Sequence, residues 1–121
     1  MIKAIKFATV PVSDQDRSLE FYTEKLGFKV ATDQPFNDEQ RWIELRIPGA
    51  DTRLVLFTLE GHEDRIGTMS GISFLSADVE STYRVLKERG VEFVQEPQAA
   101  DWGTAAVFTD PDGNVFVLSS K

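Results

Sequence analysis

The sequence predicts an α+β domain in which one pattern, strand, helix, strand, strand, strand, occurs twice in tandem. Three observations support this. Two amphipathic stretches each begin at an Asp and end at a Gly, Asp14 with Gly27 and Asp78 with Gly90. Each is followed by turn-bounded runs rich in β-branched and aromatic residues. The two passes also keep step: the offset is 64 residues from Asp14 to Asp78, 63 from Gly27 to Gly90 and 61 from Leu56 to Val117, a drift that small loop deletions produce. One domain is therefore expected, with modules at about residues 1–60 and 70–121.

Residues 2–12 read as the first strand. Ser13 and Asp14 supply an N-cap, and Asp16 favours the first helical turn. Leu19, Tyr22 and Leu26 fall on one helical stripe, which Gly27 ends with a left-handed cap and Phe28 behind it. Residues 28–32 read as a second strand, 33–40 as a polar loop holding Phe36, and 42–47 as a third strand of clear alternation. Pro48-Gly49-Ala50-Asp51 turns the chain into a fourth strand at 53–59.

The second pass places a strand at 72–75 and a helix capped by Asp78, with Val79, Thr82, Tyr83 and Leu86 on one face. A strand at 91–94 and a loop at 95–100 follow, and a hairpin at 102–120 closes the pass. The turn of that hairpin, Asp110-Pro111-Asp112-Gly113-Asn114, has a physical cause. Pro111 presets φ, the Asp and Asn side chains can bond nearby backbone N–H groups, and Gly113 accepts positive φ. Along the last strand Val115, Val117 and Ser119 share one face and Phe116 and Leu118 the other.

At 121 residues the chain is long enough to bury a core without staples, and its lack of cysteine removes disulfides, thiolate metal sites and cysteine nucleophiles together. Thirteen Lys and Arg against twenty Asp and Glu leave a net charge of −7 with no basic cluster in sequence, which disfavours nucleic acid and anionic membrane as partners. A small molecule or another protein is the expected partner. The absence of a signal-peptide pattern or an 18-residue apolar run predicts a cytoplasmic protein.

The pairing of VPVSDQDRSLEFYTEKLGF with WGTAAVFTDPDGNVFVLSS resembles the vicinal oxygen chelate superfamily, which includes glyoxalase I, bleomycin-resistance proteins and extradiol dioxygenases. The resemblance covers essentially the whole chain. Its V-x-D, F-Y, L-G-F and D-P-D-G-N elements are together specific for the fold and much less so for any activity. It implies tandem βαβββ modules in a curled mixed sheet, with helices on the convex side and a concave ligand cup, and it implies that the chain forms a homodimer.

Metal-dependent members of that superfamily hold a divalent ion through His and Glu, typically from the first and last strands of each module. The corresponding positions here are Phe7, Leu56, Gly71 and Val117, which offer no nitrogen or oxygen donor in their side chains. No metal and no cofactor are therefore expected. The one histidine, His62, sits among Glu60, Glu63 and Asp64 and reads either as part of a solvated acidic connector or as an off-site metal or pH-sensing group.

Strand alternation adds Thr9, Thr58, Ser73 and Ser119 to the cup, and with Ile43, Leu45 and Ile47 under a helix it leaves Trp42, Glu44 and Arg46 facing inward. Glu44 and Arg46 can pair with each other, orient a polar ligand beside Trp42, or form a surface salt bridge at the open end of the sheet. Phe36 and Trp102 lie on loops where they can close the pocket or pack at an interface. No phosphate loop, nucleophile elbow or base for a serine is present, which leaves Glu44 as the one candidate catalytic residue, a general base. The favoured expectation is a metal-independent protein that binds a small, partly aromatic or amphipathic molecule, by sequestration as in bleomycin resistance. The alternative is an enzyme: a glyoxalase I-like lyase, a dioxygenase, or a metal-independent isomerase using Glu44.

Overall fold

A computed structural model describes all 121 residues, in two compact units, Met1–Ile66 and Gly67–Lys121. In the first unit the sheet order is β1 (Phe7–Val10), β4 (Arg53–Leu56), β3 (Arg41–Arg46) and β2 (Lys29–Pro35). In the second it is β5 (Met69–Leu75), β8 (Val115–Ser119), β7 (Gly103–Thr109) and β6 (Glu92–Ala100). Each is a mixed four-stranded sheet in which the first strand pairs parallel with the fourth and the remaining pairs are antiparallel. The repeat read from the sequence offsets is thus a repeat of strand order.

One helix crosses from the first to the second strand of each unit. Helix α1 (Gln15–Glu20) starts on Asp14, whose carboxylate accepts from the Arg17 backbone N–H, and α2 (Val79–Glu88) starts on Asp78, which accepts from Ser81. Both run out into glycines with positive φ, +81° at Gly27 and +91° at Gly90. Val79 and Leu86 of α2 are buried as the spacing predicts.

The stripe expected on the first helix is different. The chain continues from α1 into a π turn, Phe21–Lys25, closed by the Leu26 N–H donating to the Phe21 carbonyl. Ser18, Phe21 and Tyr22 are buried while Leu19 and Leu26 are half-buried, and the wider turn rotates Leu26 off the line that ordinary helical spacing would give it. The Ser18 hydroxyl makes no hydrogen bond there, a cost of about 1 to 3 kcal/mol.

Strand lengths also differ from expectation. β1 is confined to four residues, whereas β2 and β6 run through much of what reads as loop at 33–40 and 95–100. Both are outermost strands, where Pro35 and Pro97 are tolerated because one side of the strand has no ladder to complete. β4 ends at Leu56 because the next residues are held by side chains. The Thr58 hydroxyl accepts from the Val12 N–H and donates to the Val12 carbonyl, at 3.0 Å each. The Gln40 amide pairs with both backbone groups of Thr58 at 2.8 Å. Gln15 does the same for Arg41, accepting from its N–H at 2.9 Å and donating to its carbonyl at 2.7 Å, and reaches the Leu56 carbonyl as well.

The acidic turn between β7 and β8 is built as its residue types suggest, with its two end residues, Asp110 and Asn114, buried. Asp110 Oδ1 accepts from the backbone N–H groups of Asp112 and Asn114, and Asp110 Oδ2 accepts from the Asn114 side-chain amide. Asn114 Oδ1 in turn accepts from the Gly67 N–H at 2.7 Å, pinning the start of the second unit. Replacing Asn114 with Ala removes the acceptor of the Gly67 N–H and one donor to the buried Asp110 carboxylate. We expect a loss of about 2 to 3 kcal/mol in chemical denaturation. A loss under about 0.5 kcal/mol, the size of an ordinary surface substitution, would show that the network is not structural.

Candidate functional site

The pairing register decides which side chains share a face. In the first sheet Val10, Leu56 and Ile43 form one row and Ala8, Leu54 and Leu45 the next. Apart from Ala8 these are at most 1% exposed, the core beneath the buried helix residues Phe21 and Tyr22. The opposite face carries the rows Thr9, Val55, Glu44 and Phe7, Arg53, Arg46, with Trp42 and Phe57 by alternation. Leu56 is therefore not on the face of Phe7, contrary to the sequence reading. β4 is out of the expected alternation by one residue, and a one-residue offset turns every side chain over. Thr58 goes with it, its hydroxyl being engaged by Val12.

The face turned away from the helix carries a contiguous set of rings. Trp42 lies 5.4 Å from Phe7 and 5.1 Å from Phe57, centroid to centroid, and Phe36 closes on Phe57 at 4.8 Å and on Trp42 at 6.1 Å. Phe36 is exposed and Phe7 and Trp42 are half-buried, so the patch is open to solvent at its edge.

One carboxylate stands in this apolar set. Glu44 Oε1 accepts from the Trp42 indole N–H at 2.9 Å, and Oε2 accepts from Arg53 at 2.8 Å. The indole bond first and the Arg53 guanidinium second hold the Glu44 carboxyl below its ordinary range. The cation partner is thus Arg53 from the neighbouring strand; Arg46 shares the face but lies exposed. Arg53 and Phe57 were missed by the sequence reading for the same reason that Leu56 was included. Counting the hairpin back from Arg46 across the Pro48-Gly49 turn, which pairs Arg46 with Arg53, would have found them.

In the second sheet the alternation holds. Phe93, Phe108, Phe116 and Phe74 stack on the helix side, where Tyr83 of α2 meets Phe93 at 4.7 Å. Val117 pairs with Ser73 on one side and Val107 on the other, facing away from the helix with Ser119. The Ser73 and Ser119 hydroxyls share a hydrogen bond of 2.6 Å. Gly71, at φ +75°, occupies an irregularity of β5 between Met69 and Ser73. Trp102 is exposed in the turn before β7, and His62 precedes a single turn of 3-10 helix, Glu63–Arg65.

The positions where metal-dependent members would ligate an ion offer no donor atoms here. Phe7, Gly71 and Val117 have no donor atoms in their side chains, Leu56 points into the core, and the residues that replace it in register, Val55 and Phe57, are also carbon only. No group of three or more His, Cys, Asp or Glu side chains stands close enough to hold a metal elsewhere in the chain.

This arrangement belongs to a known class. Residues 4–118 match the family described as the Glyoxalase/Bleomycin resistance protein/Dioxygenase superfamily, and the chain belongs to it. It is 42% identical to the uncharacterized protein YetH of Bacillus subtilis (strain 168) over 98% of both chains. Among solved structures, a superfamily member from Sphaerobacter thermophilus DSM 20745 superposes with a TM-score of 0.89 at 36% identity, covering 99% of this chain and 98% of that one. TnmS3, an antibiotic binding protein from Streptomyces sp. CB03234, superposes with a TM-score of 0.87 at 37% identity, covering 98% and 96%.

Because the Glu44 carboxyl is depressed in the fold, the stability it confers is fully present above the ordinary value of 4.5 and is lost as pH falls through the lower folded value. Glu44→Gln should cost about 1 to 2 kcal/mol at neutral pH, since it leaves Arg53 and the indole N–H less well paired. In paired denaturation curves the gap to the parent protein should close below pH 4.5. A gap that stays constant into strong acid would mean that the charge of Glu44 is irrelevant.

Proposed function

We propose that this chain is a metal-independent small-molecule-binding protein of the superfamily, a single cytoplasmic domain that sequesters a partly aromatic or amphipathic compound. The observation that carries this reading is the ring set Phe7, Phe36, Trp42 and Phe57 on the face of the first sheet turned away from its helix, with Phe36 exposed and Phe7 and Trp42 half-buried. Rings held by one another and by the Trp42 to Glu44 bond are already ordered, so a flat ligand stacks on them at little entropic cost. Thr9, Glu44 and Arg46 frame the site. On the second sheet Gly71, Ser73, Val117 and Ser119 supply a surface of small and apolar groups with one hydroxyl pair. The likeness to an antibiotic binding protein supports binding over turnover. So does the state of Glu44, because a carboxylate held ionised by an indole and a guanidinium is a poor proton acceptor at neutral pH.

Thermal-shift screening tests the proposal, since a ligand of the native state raises the melting temperature by mass action. Planar aromatic compounds should raise it, Trp42→Ala should remove most of the shift, and Zn, Ni, Fe and Mn salts should leave it unchanged. A stoichiometric metal in the purified protein, or glyoxalase I activity, would refute the metal-independent reading.

We place a homodimer in the same proposal, on the ground that each sheet ends in outer strands whose free edge a second copy can cover. Light scattering at micromolar concentration should give twice the chain mass of 13.6 kDa, and a monomer mass would count against it.

A further inference from the structure

The face of the first sheet turned away from the helix carries a second feature beside its rings. Phe7, Arg53, Arg46 and Lys29 are register partners in one row across β1, β4, β3 and β2. Three cations in adjacent strands span about 10 Å. Like charges directly opposite one another destabilise a sheet, and in a chain of net charge −7 nothing in the overall composition requires such a row. Glu44 is the carboxylate on this face, and it bonds Arg53 through one guanidinium nitrogen. Arg41, by contrast, is taken up by Asp16 at 2.8 Å and Asp33 at 3.0 Å. Lys6 adds further positive potential at Glu44. The row begins at Phe7, which also touches Trp42, so cations and rings adjoin.

We infer that the ligand of this face is an aromatic anion, with its ring system on Phe7, Trp42 and Phe36 and its acidic group, a carboxylate, sulfonate or phosphate, directed at Arg53, Arg46 and Lys29. The inference rests on the reading that this face binds a small molecule, and it specifies the chemistry. Arginine forks suit flat oxyanions because two parallel N–H donors can meet two oxygens, and Arg53 keeps further donors after bonding Glu44.

Two dyes with the same ring framework separate the two claims. Anilinonaphthalene sulfonate carries an anion, and phenylnaphthylamine lacks it. Binding is followed by dye fluorescence and by energy transfer from Trp42 in a Trp102→Phe background, which reports proximity without altering the site. The sulfonate should bind about tenfold more tightly than the neutral dye, the effect of one good charged contact. That preference should shrink as salt rises. Reversing both exposed cations, Arg46→Glu with Lys29→Glu, should abolish the preference by weakening the sulfonate far more than the neutral dye, with the fold checked by circular dichroism. If both dyes bind equally with energy transfer from Trp42 and the reversal changes neither, the aromatic site stands and the anion inference is overturned. If neither dye accepts energy from Trp42, the binding face itself is refuted and the inference with it.

Discussion

Each four-stranded sheet here has one helix to cover two faces, and most of the rest follows from that shortage. A strand turns alternate side chains to opposite sides, so the helix-covered side must be apolar to hold the unit together and the other side is released from that duty. In the first unit the covered side is filled by Val10, Ile43, Leu45, Leu54 and Leu56, and in the second by Phe74, Phe108 and Phe116. The uncovered sides carry the residues whose chemistry is not explained by folding: Trp42, Glu44, Arg46 and Arg53 in one sheet, Ser73 and Ser119 in the other.

How far the sequence could be read depends on whether a structural decision was made locally. The helix starts at Asp14 and Asp78, their glycine ends and the Asp110 to Asn114 turn are local events, and all were legible from residue type and spacing. The tandem order of strands followed from them. The faces of β3 and β8 were legible because their patterns alternate cleanly. β4 was not, because the buried Leu54, Val55, Leu56 and Phe57 form an unbroken apolar run with no period to count from. Its register is imposed by β1 and β3, whose partners of Leu56, Val10 and Ile43, lie 46 and 13 residues away in sequence. The π turn after α1 was hidden for a related reason: a stripe at i, i+3 and i+7 presumes the ordinary helical turn.

Side chains also do work that backbone usually does. Gln15, Gln40 and Thr58 satisfy carbonyls and N–H groups where the ladder of β3 and β4 gives out, and neither glutamine was marked by its sequence neighbourhood. In the aromatic patch the relation is reversed. Glu44 fixes the tilt of the Trp42 ring through its indole N–H, and Arg53 fixes Glu44, so a polar chain sets the geometry of an apolar surface.

The prolines of the outer strands bear on how copies of this chain can meet. β2 and β6 each end their sheet and each contains one, Pro35 and Pro97, so neither margin can present an unbroken line of N–H donors to a strand from another molecule. Growth by edge-to-edge stacking, the first step toward fibrous aggregates, is therefore blocked on those margins. On those two margins copies are left to associate through side-chain surfaces, where fit discriminates between partners and a bare backbone margin does not.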